Sequence, residues 1–76
     1  MTKYILMFTD GYDISLRGVY DTIDEAEEVM TEDYNVYGGA NVPEEWLSLT
    51  YITPFDAQRV DGENHYIWKI EEIKGE

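Results

Sequence analysis

Five carboxylates, Asp21, Asp24, Glu25, Glu28 and Glu32, recur at the three- and four-residue spacing that gathers side chains on one side of an α-helix. The chemistry open to such a row is electrostatic attraction of cationic groups. From Gly18 to Gln58 the chain has ten acidic residues and no basic one, so no lysine breaks the row. Asp21–Glu25, Asp24–Glu28 and Glu28–Glu32 are like-charge pairs, each costing roughly 0.2–0.5 kcal/mol on a helix. A row maintained against that cost suits a basic partner, which a one-signed surface steers toward itself. Its most specific form is a nucleic-acid mimic, with carboxylates standing where phosphates would. Tyr37 and Tyr20 are the candidate anchors beside it, because tyrosine is favoured at binding hot spots. The plainer alternative is a solvated acidic face with no partner.

Catalytic constellations are weaker. Nucleophilic catalysis needs a hydroxyl or thiol positioned beside a base. Ser15 and Ser48 are available, but neither lies in a G-x-S-x-G elbow. The sole imidazole, His65, falls at the end of an expected hairpin, the ordinary place for a solvated histidine. It is nevertheless the centre of a third reading, a small ligand-binding domain or enzyme. No phosphate-cradling G-x-x-x-x-G-K or G-x-G-x-x-G occurs. Asp10 with Asp13, and Asp61 with Glu63 and Asn64, offer hard oxygen ligands, but neither run fits a twelve-residue calcium loop. Turns favour these residues for backbone reasons alone. The expectation is no enzyme, no metal and no cofactor.

Composition narrows the partners. Seventeen acidic residues against five basic ones give a net charge of −12. Direct binding of nucleic acid or of an anionic membrane is disfavoured, since both need Lys and Arg at phosphates. The first apolar run, Tyr4 to Phe8, is far shorter than a signal-peptide core or a membrane span. Without cysteine a reducing compartment is acceptable, and the cytoplasm is the default expectation.

Seventy-six residues make one domain, 1–76. So short a chain buries only about 60–65% of its unfolded surface. Neither a disulfide nor a Cys/His zinc site is available to reinforce it. Two Trp, seven Tyr and two Phe must build the core, and oligomerisation is the other common remedy.

The elements that must position these residues follow from periodicity. Residues 3–9 form a nearly continuous apolar strand, and Asp10-Gly11 suits a hairpin turn into a second strand over 14–20. Gly18 there marks a bulge or a close backbone approach. Thr22 with Glu25 is a capping-box pattern, and Ile23, Ala26, Met30, Tyr34 and Tyr37 fall on one stripe opposite the acids. Gly38-Gly39 stops this helix. Pro43-Glu44-Glu45 reads as the first position of a short helical turn, anchored by Trp46, Leu47 and Leu49. Irregular structure is expected over 50–55, where Pro54 argues against a central strand. Residues 56–60 and 65–73 read as a second hairpin around Asp61-Gly62-Glu63-Asn64.

The expected fold is α+β: a small two-layer domain, with a four-stranded sheet in β-β-α-β-β order and one amphipathic acidic helix on one face. Strand order within the sheet stays open. A single helix covers only one face, yet the first strand is apolar on both. The 40–55 segment, with Trp46 and Tyr51, is the expected partial cover for the second face, and a subunit or target protein is the functional alternative. The leading functional expectation is a non-catalytic interaction module for a basic protein, through Asp21, Asp24, Glu25, Glu28, Glu32 and Tyr37. The runner-up is a structural or regulatory homo-oligomer, such as a homodimer, that uses the second sheet face around Ile5, Met7 and Ile67.

Overall fold

The computed structural model describes residues 2–62 and 64–74. Its strands are β1 (Thr2–Thr9), β2 (Ile14–Tyr20), β3 (Tyr51–Ile52), β4 (Asp56–Asp61) and β5 (Asn64–Lys74). Its helices are α1 (Ile23–Val36) and α2 (Glu44–Leu47). All strand pairs are antiparallel, in the spatial order β2-β1-β5-β4-β3. Five strands are present where four are expected, and α2 and β3 lengthen the chain order to β-β-α-α-β-β-β. The extra strand is Tyr51–Ile52, inside the stretch expected to be irregular. The Thr53 hydroxyl accepts the N–H groups of Phe55 (3.2 Å) and Asp56 (3.0 Å), closing a tight turn that lays Tyr51 beside Gln58. Pro54 sits in that turn, outside the ladder, where its missing N–H costs nothing.

The first hairpin turns as its residues dictate. The Asp10 carboxylate accepts the N–H groups of Tyr12 (2.9 Å) and Asp13 (3.0 Å), and these bonds hold its pKa below the usual carboxylate value. Gly18 makes the expected bulge: Leu6 pairs with Gly18 and Met7 with Leu16, so Arg17 is the extra residue. Its φ of +154° is one that side-chain-bearing residues avoid, and the Tyr20 ring folds back over it, leaving no room for a Cβ. The second hairpin joins β4 to β5 with Asp61 opposite Asn64, and Glu63 of its turn lies outside the described residues.

Helix α1 begins and ends as its local chemistry requires. The Thr22 hydroxyl accepts the Glu25 N–H at 3.2 Å. At the other end Gly39 donates to the Tyr34 carbonyl (2.8 Å) and Gly38 to that of Asn35 (3.0 Å), the paired bonds of a Schellman stop. Pro43 is the N-cap of α2 rather than its first residue.

The apolar stripe of α1 lies across one face of the sheet. Ala26, Met30 and Tyr34 are buried against Leu6, Phe8, Ala57, Trp68 and Ile70, with Ile23 and Tyr37 partly buried at the margin. Phe8, Tyr34, Tyr37, Tyr66 and Trp68 form a continuous aromatic cluster, with neighbouring centroids 4.9 to 6.4 Å apart. Arg59 is buried on the same side. Its Nε donates to the Gly39 carbonyl (3.1 Å) and its Nη2 to that of Asn41 (3.2 Å), tying the loop after α1 to β4.

The opposite sheet face is covered only in part, as expected for 40–55: at β4, Val60 on that face is 6% exposed, while the rest stays open. That segment runs beside β4, where Thr50 bonds the backbone of Val60 and Gln58 reaches the Leu49 carbonyl. Trp46 is only partly buried and outside the core cluster, while Leu47, Leu49 and Tyr51 are exposed. The strand farthest from it, β2, keeps its second face open, with Ile14 79% exposed and Leu16 63%, and β1 beside it leaves Ile5 and Met7 partly exposed.

Candidate acidic interaction face

The acids foreseen as a row are brought together on the outer side of α1, with one exception. Asp24, Glu25, Glu28 and Glu32 are exposed, and none has an ion-pair partner among the described residues. Glu27, absent from the expected set, joins them. With Asp24, Glu28, Thr31 and Glu32 it lines a shallow open depression along the helix. Its signal was already present in the spacing, three residues after Asp24 and beside Glu28, but its position flanks the apolar stripe and so reads as neutral. Asp21 differs from the rest: it precedes the Thr22 cap, outside the helix, and pairs with Lys3 of β1. Asp21–Glu25 is therefore not a helical like-charge pair.

The row has a high linear charge density. Asp24, Glu25, Glu27, Glu28 and Glu32 occupy about 12 Å of helix axis at 1.5 Å per residue, or one carboxylate per roughly 3 Å. Each strand of duplex DNA presents one phosphate per about 3.4 Å. Asp24 and Glu25 also sit in the first turn of α1, where the helix dipole favours them. Glu28 and Glu32, farther along, have no such compensation.

Asp33 looks like its neighbours in the sequence but is used internally. Its Oδ2 accepts the Trp68 indole N–H at 2.8 Å and meets Arg17 Nε at 3.1 Å. The bulge at Gly18 delivers Arg17 to this side, with its guanidinium 4.5 Å above the Phe8 ring. Arg17 Nη2 also donates to the Tyr37 hydroxyl at 3.3 Å. Tyr37 and Tyr20 are thus less free than proposed anchors would be. The Tyr37 ring stands against Phe8, Tyr66 and Trp68, and the Tyr20 hydroxyl donates to the Arg17 carbonyl at 3.3 Å.

His65 is exposed at the start of β5, opposite Val60. Among the described residues no three His, Asp or Glu side chains gather as a metal ion requires, and no helix is long and apolar enough to cross a membrane. A scan against protein-family models matches none, and searches of curated proteins and of solved structures return no match.

Proposed function

We propose that this chain is a non-catalytic interaction module that binds a basic protein through the outer face of α1. One observation carries the reading: four exposed carboxylates on α1, with Glu27 at their margin, stand without internal cations, while Asp33 on the same helix is fully engaged. An acid needed for the fold is paired, and the row is not. Its charge spacing is close to that of a nucleic-acid strand, which makes a nucleic-acid-binding protein the favoured class of partner. Such a partner's groove would exchange phosphate contacts for carboxylate contacts, so binding weakens as salt rises.

The test compares the native chain with Asp24→Asn, Glu25→Gln, Glu28→Gln, Glu32→Gln as bait at about 50 mM and about 200 mM salt. The expected result is a partner retained only by the native chain, lost at the higher salt and displaced by duplex DNA. Equal retention by both baits would overturn the proposal. Retention by the native chain alone, undisturbed by DNA, would keep the acidic face as the binding surface and remove mimicry.

A further inference from the structure

The uncovered face of the sheet has a composition unlike the rest of the molecule. Strand alternation places Ile5 and Met7 of β1, Ile14, Leu16 and Val19 of β2, and Ile67 of β5 on it. Met7, Thr9, Ile14, Ile67 and Lys69 border a shallow apolar depression of about 190 Å³ there. The charged residues on this face are Lys3, Lys69, Asp56 and Glu71, two of each sign, with Asp21 paired to Lys3 at its edge. A chain of net charge −12 therefore has one broad surface that is apolar and close to neutral.

We infer that this face packs against the same face of a second copy, giving a two-sheet sandwich with both acidic helices outermost. Charge selects the occupant. Two copies of so acidic a chain repel through α1, so they can approach closely only where neither presents excess charge. Sheets pack about 10 Å apart, and each helix lies about 10 Å beyond its own sheet, so the two helix axes stand about 30 Å apart. That distance is several times the screening length of about 8 Å at physiological salt. The Lys69–Glu71 ion pair, 2.9 Å long, offers each copy one charge of either sign to match its partner. The core argues the same way. Of the large hydrophobic side chains that are exposed among the described residues, Ile14, Leu16, Val19 and Ile73 lie on this face, outside the core that one copy encloses. The size suits a weak association. Three strands about 4.8 Å apart and about 27 Å long project roughly 400 Å² per copy, or about 800 Å² for the pair. This is the size of a weak, transient interface, so the dimer forms with concentration and is not permanent.

The reading does not depend on the acidic-face proposal, and salt separates the two. Salt weakens a basic partner's hold on α1, but it screens the repulsion between two acidic copies and strengthens the dimer.

The test is sedimentation equilibrium over about 10 µM to about 1 mM at low and moderate salt. The variants are Leu16→Asp on β2, Lys69→Glu on β5, and Val36→Asp on α1 as control. All three side chains are exposed, so each variant retains the fold, which circular dichroism checks. The native chain is expected to reach twice its monomer mass, more readily at the higher salt. Leu16→Asp and Lys69→Glu each weaken the association at least about tenfold, Lys69→Glu with partial recovery as salt rises, and Val36→Asp leaves it unchanged. A native monomer throughout the range would overturn the inference. So would a dimer lost in Val36→Asp. A dimer lost in Leu16→Asp but kept in Lys69→Glu would also overturn it, because it would place the contact at the β2 edge.

Discussion

The two faces of one sheet are built on opposite terms. Beneath α1, aromatic rings touch one another and the polar atoms among them are paired: Trp68 with Asp33, Arg59 with the Gly39 and Asn41 carbonyls, Arg17 with Asp33 and Tyr37. No buried side-chain polar atom among the described residues lacks a partner. On the other face, aliphatic side chains from β1, β2 and β5 stand beside exposed ion pairs and await no internal partner. The difference teaches that the helix supplies this fold with both its apolar cover and the acceptor that lets Trp68 be buried, while the loop after it supplies those of Arg59. An uncovered face needs neither, and it is free to meet another molecule.

Trp68→Ala tests the covered face most severely. The ring is fully buried at the centre of the aromatic cluster, so its loss should cost about 3–5 kcal/mol, enough to unfold much of so small a domain. Urea unfolding followed by circular dichroism measures it. A cost below about 1 kcal/mol would mean that the two faces contribute alike.

Asp33→Ala is the next largest. It strands the Trp68 indole N–H and one guanidinium N–H of Arg17, at about 1–3 kcal/mol. Its neighbour on the outer side responds in the other direction. Glu28→Gln relieves repulsion from Asp24 and Glu32 and should raise stability by about 0.4–1 kcal/mol, visible as a thermal midpoint several degrees higher. Should both substitutions shift stability in the same direction, the division of α1 into a structural and a free acid face fails.

Leu16→Thr on the open face should change the stability of the monomer by less than about 0.5 kcal/mol, measured at micromolar concentration. A larger loss would show that the face is covered within one chain.

The smallest effect concerns acid. Bonds from the Asp13 and Tyr12 N–H groups lower the Asp10 pKa from its ordinary 3.8, so its contribution to stability is present above that value. It is lost as pH falls through the lowered value. Asp10→Ala should therefore flatten the acid limb of a stability profile below about pH 4 and leave the slope near neutrality unchanged. An unchanged acid limb would release the first turn from this account.

Much of the frame was legible because it is set by neighbours in the chain. The limits of β2 and the start of α1 follow from Asp10-Gly11, Gly18 and Thr22, whose turn, bulge and cap act within four residues. The stripe from Ile23 to Tyr37 follows from the helical period and is the set that α1 buries or half-buries. Four of the six expected partner residues stand exposed on one side of α1 for the same reason. The exceptions depend on distant partners. Nothing beside Asp21 announces Lys3, and nothing beside Tyr37 announces Phe8, Tyr66 and Trp68. The strand β3 has no mark in the sequence because two residues carry no period, and its pairing with β4 depends on a turn closed by a Thr53 side chain.

Local order, the amphipathic division of α1 and the one-signed charge from Gly18 to Gln58 belong to the sequence, since periodicity, capping and charge act over a few residues. The strand order β2-β1-β5-β4-β3, the use of Asp33 inside rather than outside, and the bareness of the second sheet face were decided only in three dimensions. The physical reason is common to all three. They are set by contacts between residues far apart in the chain, as Trp68 with Asp33, which no local pattern announces.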